Sequence, residues 1–194
     1  MEGERKFWIE TFTGKRFDYE DIASNKIDIR DIAHALSNTC RFNGHCSRFY
    51  SVAEHSILVS SEIEKVFGIK AALPALLHDA TEAYMPDVSK PLKHFWNTKF
   101  GIMDFEDGLQ EHIFKQLKIG VSLNMMEEIK RYDVALLRAE RDVLFQGREL
   151  WEFPENIPTI DPLVIGVNPK IIEMNFLERY SNLKFQINGR KEIQ

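Results

Sequence analysis

Apolar residues recur at helical spacing through most of the chain, and the exceptions stand at its start. Phe7, Trp8, Ile9, Phe12, Phe17 and Tyr19 flank a Thr13-Gly14-Lys15 turn, the pattern of a small β-hairpin laid over one side of a core. Asp28 or Asp31 can cap a helix that carries Ile29, Ile32, Ala33 and Leu36 on one face and ends near Cys40. Ser51, with Glu54 three positions on, forms a capping box for a helix over Val52 to Phe67, which Gly68 stops. The next helix runs from about Lys70 to Tyr84, with Pro74 tolerated in its first turns and Met85-Pro86 ending it. A short helix starts in the segment 89–93. Another lies within Phe95 to Ile119, where Leu109, Ile113, Phe114 and Leu117 share a face. Ser122 caps a long helix whose apolar positions run from Met125 to Leu144. Leu150 to Gly166 is punctuated by Trp151, Phe153, Pro154, Pro158 and Pro162 and reads as a long ordered loop; Asn168-Pro169 then opens a last helix. The pattern predicts an all-α helical bundle with a small N-terminal β-hairpin. It is one domain over residues 1–194, with 1–27 as hairpin and linker and 185–194 as a polar tail.

Composition changes this picture little. A chain of 194 residues with 44% hydrophobic and 28% charged residues suffices for one domain with a sizeable core. A net charge of -5 without a basic block argues against a nucleic-acid polymer as partner. No stretch has the length of a membrane span and no apolar run follows the first residues, so neither a membrane nor a secretory leader is expected. The two cysteines, Cys40 and Cys46, are too few for a disulfide scaffold or a thiolate zinc site, and read as free thiols of a cytoplasmic protein.

The candidate chemistry lies where polar residues interrupt apolar runs. His78 and Asp79 follow Ala71, Ala72, Leu73, Ala75, Leu76 and Leu77 and precede Ala80, Ala83 and Tyr84. An imidazole and a carboxylate in such surroundings need partners, and a divalent cation or a mutual hydrogen bond in the core would each serve. Glu82, four residues after His78, shares its helix face and would stand beside a metal. His55 falls on the first turn of a buried helix. Asp133 breaks the apolar stretch Tyr132 to Leu137 and is the best further ligand. The loop Arg41 to Tyr50 holds two arginines, one histidine and three aromatics; Arg41 can serve as a fork for phosphate oxygens or be a solvated cation. Lys93 is a phosphate partner or a solvated lysine. His112 reads as exposed, and Arg138, Glu140, Arg141 and Asp142 read as a salt-bridged helix face with a structural role. Two imidazoles and two carboxylates without thiolates suit one divalent transition metal (Co, Mn, Zn, Ni or Fe) with coordination positions left for water.

The order His55, His78-Asp79, Asp133 resembles the signature of the HD superfamily of metal-dependent phosphohydrolases. It is most similar to the branch of 5′-deoxynucleotidases and phage dATP triphosphohydrolases. The bare His-Asp pair is a weak signal. Specificity comes from matches in register: Arg41-Phe42, then Val52-Ala53-Glu54-His55-Ser56, Leu77-His78-Asp79-Ala80-Thr81-Glu82, Asp87, Pro91, Lys93 and Tyr132-Asp133, over roughly Ile29 to Leu144. The resemblance implies an HD-domain bundle in which His55, His78, Asp79 and Asp133 bind the metal and Glu82 is the catalytic carboxylate. It also implies that Arg41 contacts phosphate, that Phe42 packs against the nucleotide, and that Asp87 reads the sugar hydroxyl. Alarmone hydrolases of the superfamily carry a Glu-Asp pair after the motif, whereas here Ala83 follows Glu82.

The expected reaction is hydrolysis of the ester between the α-phosphorus and the 5′ oxygen of a deoxynucleotide, by water that the divalent ion acidifies. His45 has no counterpart in the simplest deoxynucleotidases. In its position it can touch further phosphates, which tilts the expectation towards a dNTP triphosphohydrolase. A 5′-deoxynucleotidase acting on dNMPs is the alternative, and a non-catalytic nucleotide sensor is a further one. A di-iron oxygenase would need more histidine ligands than the chain supplies. Relatives in the superfamily are dimers or hexamers, so the resemblance implies a homo-oligomer.

Overall fold

The computed structural model describes residues 7–147, 151–161 and 166–189. They form an all-α arrangement with a two-stranded antiparallel hairpin at the N-terminus. Strands β1 (Trp8–Glu10) and β2 (Arg16–Asp18) pair with Ile9 opposite Phe17. Phe17 enters the core and stacks on Tyr84 at 4.3 Å, so the hairpin seals one side of the bundle, as its aromatic pattern predicts.

Helix α1 (Ile29–Asn38) is capped by Asp28, whose side chain accepts from the Arg30 amide. Asp31, the other predicted cap, is buried instead and accepts from the Thr13 amide and hydroxyl, which fastens the hairpin to α1. His34 on the same helix stacks on Phe12 at 3.7 Å and pairs with Glu173. Helix α2 (Val52–Phe67) begins at Ser51 and ends at Gly68, the boundaries its cap and breaker predict.

The helix expected from Lys70 to Tyr84 is shorter. Helix α3 spans Ile69–Leu76, and the chain then turns: Ala80–Ala83 is a single 3₁₀ turn. Pro74 removes one donor from α3, and the bonds that follow are three-residue ones, Leu77 N–H to Pro74 O at 3.1 Å and Ala80 N–H to Leu77 O at 3.2 Å. His78 and Asp79 therefore sit in the turn after a helix, not inside one. The helix expected to start in 89–93 is α4 (Lys90–Phe100), longer than expected, and the one expected within 95–119 is α5 (Ile102–Gln116). Gly101 divides them, with φ of 62°, a conformation that glycine adopts without penalty. His112, expected at the surface, is half-buried, and its Nε2 bonds to Asn25 O at 2.8 Å.

Helix α6 (Leu123–Leu144) is capped by Ser122 as predicted. Residues 151–161 are irregular, in keeping with the expected loop, whose segments 150 and 162–165 lie outside the described residues. Helix α7 (Pro169–Gly189) runs beyond Lys184, so the first part of the expected polar tail is helical; 190–194 lie outside the described residues.

Two buried clusters hold the bundle. One joins α1, α2, α3, α5 and α7 through Ile32, Leu36, Val52, Leu76, Ile113 and Phe176. The other joins α2, α3 and α6 through Tyr50, Val59, Ile63, Ala75 and Leu136. The start of α2, the turn after α3 and the middle of α6 come together at His55, His78 and Asp133. Among the described residues no helix is long and apolar enough to cross a membrane.

Candidate metal centre

Capping places the first histidine. Ser51 Oγ accepts from the Glu54 amide at 3.1 Å and Val52 N–H donates to Thr39 O at 3.0 Å, which fixes the first turn of α2 and aims His55 inward. The Glu54 carboxylate does not reach back to its own cap; it accepts from the Val167 amide at 3.3 Å and ties down the chain ahead of α7. His55 is fully buried. Its Nδ1 lies 2.6 Å from Glu140 Oε1, which also accepts from the Tyr50 hydroxyl at 2.8 Å. Burial opposes ionisation of Glu140, but Arg41, His55 and Tyr50 together hold its carboxyl below the usual range. Glu140 is thus an acceptor only, and the Nδ1 of His55 carries the donated hydrogen.

His78 reaches the same tautomer by a local route. Its Nδ1 donates to the Ala75 carbonyl three residues earlier at 2.8 Å, a bond that the turn after α3 permits. Both Nε2 atoms are left buried without an aligned hydrogen-bond partner. They face Asp133 on α6, and the three ligand atoms lie within 4.8 Å of one another. His55 Nε2 is 3.1 Å from Asp133 Oδ1, and Asp79 Oδ2 stands 3.7 Å from His55 Nε2 and 3.3 Å from His78 Nε2. Two ligands each about 2.1 Å from one ion, set near a right angle, are roughly 3 Å apart. The spacing and the donor set fit a divalent cation, and His55, His78 and Asp133 could hold one. Imidazoles whose second nitrogen donates to a carboxylate or a carbonyl are the usual metal-binding arrangement.

The charges agree. Asp79, Glu82, Asp87, Asp133 and Glu140 surround the centre. Burial and Arg41 work against protonation of His55, yet the Glu140 and Asp133 carboxylates outweigh them and hold its imidazole at about 9. Burial likewise opposes ionisation of Asp133, but His55, His78 and Arg41 hold it well below the carboxylate range.

Glu82 sits in the Ala80–Ala83 turn with Oε2 buried and unpartnered. Burial, reinforced by the Asp79 and Asp87 charges and only partly offset by Arg41 and Lys93, pushes its carboxyl well above the usual range. Asp87, in the loop before α4, is also raised, chiefly by burial, and accepts from the Phe42 amide. Arg41 is buried; one terminal nitrogen lies 3.5 Å from Asp79 Oδ2 and the other 3.4 Å from Glu140 Oε2. Desolvation works against its charge, but the Glu140, Asp79, Asp133 and Asp87 carboxylates keep it firmly protonated.

The loop bearing Arg41 is a tight turn with φ of 59° at Phe42, 51° at Asn43 and 77° at Gly44. Phe42 lies under the Arg41 guanidinium at 5.2 Å and packs edge-on against Phe145 and Trp151. His45 ends this turn and is exposed. Lys93 forms an ion pair with Glu106 at 2.7 Å, and Lys90 lies 4.0 Å from Asp133 Oδ2 at the rim.

Glu140 departs from what its charged neighbours suggest. Grouped with Arg138, Arg141 and Asp142 as a surface face, it is in fact 2% exposed. Its signal was its spacing: seven residues after Asp133 on one helix, it returns to the same face. Helix α6 thereby grips His55 from both sides, Asp133 at Nε2 and Glu140 at Nδ1.

No protein-family model matches the chain. An uncharacterized protein of Rhodobacter capsulatus is 33% identical over 132 residues, which cover 66% of this chain and 65% of that protein. The uncharacterized protein YfdR of Escherichia coli is 38% identical over 180 residues, covering 91% of this chain and 95% of YfdR, and the chain belongs to the same family as YfdR.

Proposed function

We propose that the protein is a divalent-metal-dependent phosphohydrolase of the HD type that cleaves the α-phosphate–5′-oxygen ester of deoxynucleotides. The observation that carries this reading is the pair of buried Nε2 atoms of His55 and His78, turned towards Asp133 by hydrogen bonds at their Nδ1 atoms. Asp79 completes the proposed ligand set. A bound Co, Mn, Zn, Ni or Fe ion would supply Lewis acidity and acidify a water at neutral pH.

The chain's own residues supply the rest. Arg41 is held charged beside the centre and presents a planar fork to the equatorial phosphoryl oxygens, where negative charge grows during attack. As the new oxygen–phosphorus bond forms and the phosphorus–O5′ bond breaks, the departing oxygen needs a proton. Glu82, whose environment favours the protonated carboxyl, donates it. Asp87 accepts a hydrogen bond from the sugar 3′-hydroxyl, and Phe42 offers an aromatic face to the nucleoside.

His45, exposed at the end of the Arg41 turn, would be the residue to contact the further phosphates of a triphosphate. The second reading, a monophosphate, has its own support: among the described residues Lys93 is paired with Glu106, Arg41 with Asp79 and Glu140, and Lys90 with Asp133, so the positive charge beside the centre is largely committed to carboxylates. The test is turnover of dNMPs and dNTPs with Mn, Co, Zn, Ni and Fe, with phosphate and triphosphate ion resolved. Triphosphate ion from a dNTP supports the first reading and phosphate from a dNMP the second. Nucleotide binding without any product would instead identify a sensor.

A further inference from the structure

The loop that carries Arg41 and His45 is bounded by the chain's two cysteines, and the fold brings them together. Cys40 Sγ and Cys46 Sγ are 3.8 Å apart, and both residues are half-buried. Cys40 is anchored: it forms an antiparallel bridge with Ser51, flanked by Arg41 N–H to Tyr50 O at 2.9 Å and Val52 N–H to Thr39 O at 3.0 Å. Cys46 is held by the turn itself, with His45 N–H to Phe42 O at 3.0 Å, and its thiol donates to Arg48 O at 2.9 Å. Between them lie three consecutive left-handed residues, Phe42, Asn43 and Gly44, which fold the chain back so that the thiols meet.

We propose that Cys40 and Cys46 are a reversible thiol–disulfide pair that closes across the Arg41–His45 turn. A disulfide needs its sulfurs about 2.05 Å apart, so closure takes up roughly 1.8 Å. Cys40 is fixed by its bridge and the chain beyond Cys46 by Ser47 N–H to Leu144 O at 3.0 Å, so that movement falls on the Cys46 side chain and the left-handed turn between them. The oxidant is a low-molecular-weight disulfide of the glutathione class. One cysteine thiolate attacks it, forms a mixed disulfide and expels one thiolate. The second cysteine attacks the protein sulfur of that mixed disulfide and expels the other. Two thiol hydrogens leave the protein, one protein disulfide forms, and the small disulfide is reduced to two thiols. Burial and the neighbouring Cys40 keep the Cys46 thiol protonated above the usual range, so exchange quickens as pH rises. The consequence for substrate rests on the phosphohydrolase reading, because the displaced turn carries its phosphate-contacting residues.

The test equilibrates the full chain with mixtures of reduced and oxidised glutathione, quenches by alkylation and weighs the products. It is run on the native protein and on the protein unfolded in urea. The expected result is an intramolecular disulfide that forms in the native protein at a glutathione ratio about tenfold more reducing than in the unfolded chain. The proposal is overturned if both need the same ratio, or if the native protein only collects glutathione on each cysteine. In parallel, the oxidised protein should show a raised KM for nucleotide that a reductant reverses and that Cys46→Ser abolishes; an unchanged KM removes the functional part. Thiol pairing in a protein with no turnover counts against the phosphohydrolase reading and leaves the pair itself standing.

Discussion

His55 Nδ1 lies 2.6 Å from Glu140 Oε1, so a carboxylate on the far side of the imidazole decides which nitrogen faces Asp133. Glu140→Gln should therefore weaken divalent-metal binding by about 10- to 100-fold, read by calorimetric titration of Mn or Co at a temperature where circular dichroism shows an intact fold. An affinity equal to that of the parent protein would remove Glu140 from the account.

Glu82 is predicted to act on the proton and not on the ion. Glu82→Gln should lower kcat by about a hundred- to ten-thousand-fold, while calorimetry finds metal affinity within a small factor of the parent. If affinity and turnover fall together, Glu82 is a ligand and not the proton donor.

Metal binding should follow pH through His55, whose imidazole is held at about 9, above its ordinary 6.5. A raised imidazole pKa stabilises the metal-free fold fully below about 6.5, and that contribution is lost as pH rises through about 9. The ion needs the nitrogen that the proton occupies, so apparent metal affinity should climb with pH up to about 9. The thermal stabilisation given by saturating metal should widen over the same interval. Titration in two buffers of different ionisation enthalpy at neutral pH should show about one proton released per ion bound; none released contradicts the assignment.

Asp28 joins the hairpin to the bundle, capping α1 while pairing with Lys15 and Arg30. Asp28→Ala should cost about 1 kcal/mol through the cap, with little added by the pair with the mostly exposed Arg30 and a modest amount by the pair with the half-buried Lys15. Arg30, Lys15 and the Arg30 amide hold the Asp28 carboxyl well below its ordinary value, despite some burial. Its stabilisation is present above about pH 4 and is lost as pH falls below that. The parent and the variant should therefore converge in chemical-denaturation midpoint in strong acid, while a constant gap would point to packing instead.

Where punctuation is local, the sequence placed the fold well. Ser51, Gly68, Asp28 and Ser122 delimit their helices as their chemistry requires. The His78-Asp79 stretch misled because its apolar run satisfies a helical period. The helix ends where three-residue bonds replace four-residue ones and the His78 ring takes the Ala75 carbonyl. The proposed ligands were legible because polar groups in apolar runs demand partners. Glu140 was hidden by its charged neighbours Arg138, Arg141 and Asp142, which suggest a solvated face; only its distance from Asp133 along α6 gave it away. Lys93 cannot be read from composition at all, since its partner Glu106 comes from the next helix, thirteen residues on.

The central claim is that one cation binds between His55, His78 and Asp133. Anomalous scattering from a crystal grown with cobalt tests it most directly. The account predicts one strong peak within about 2.3 Å of both Nε2 atoms and of an Asp133 oxygen, reduced or absent in crystals of Asp133→Ala. A fully occupied peak elsewhere on the molecule, with these three side chains hydrogen-bonded to each other or to water, would contradict it.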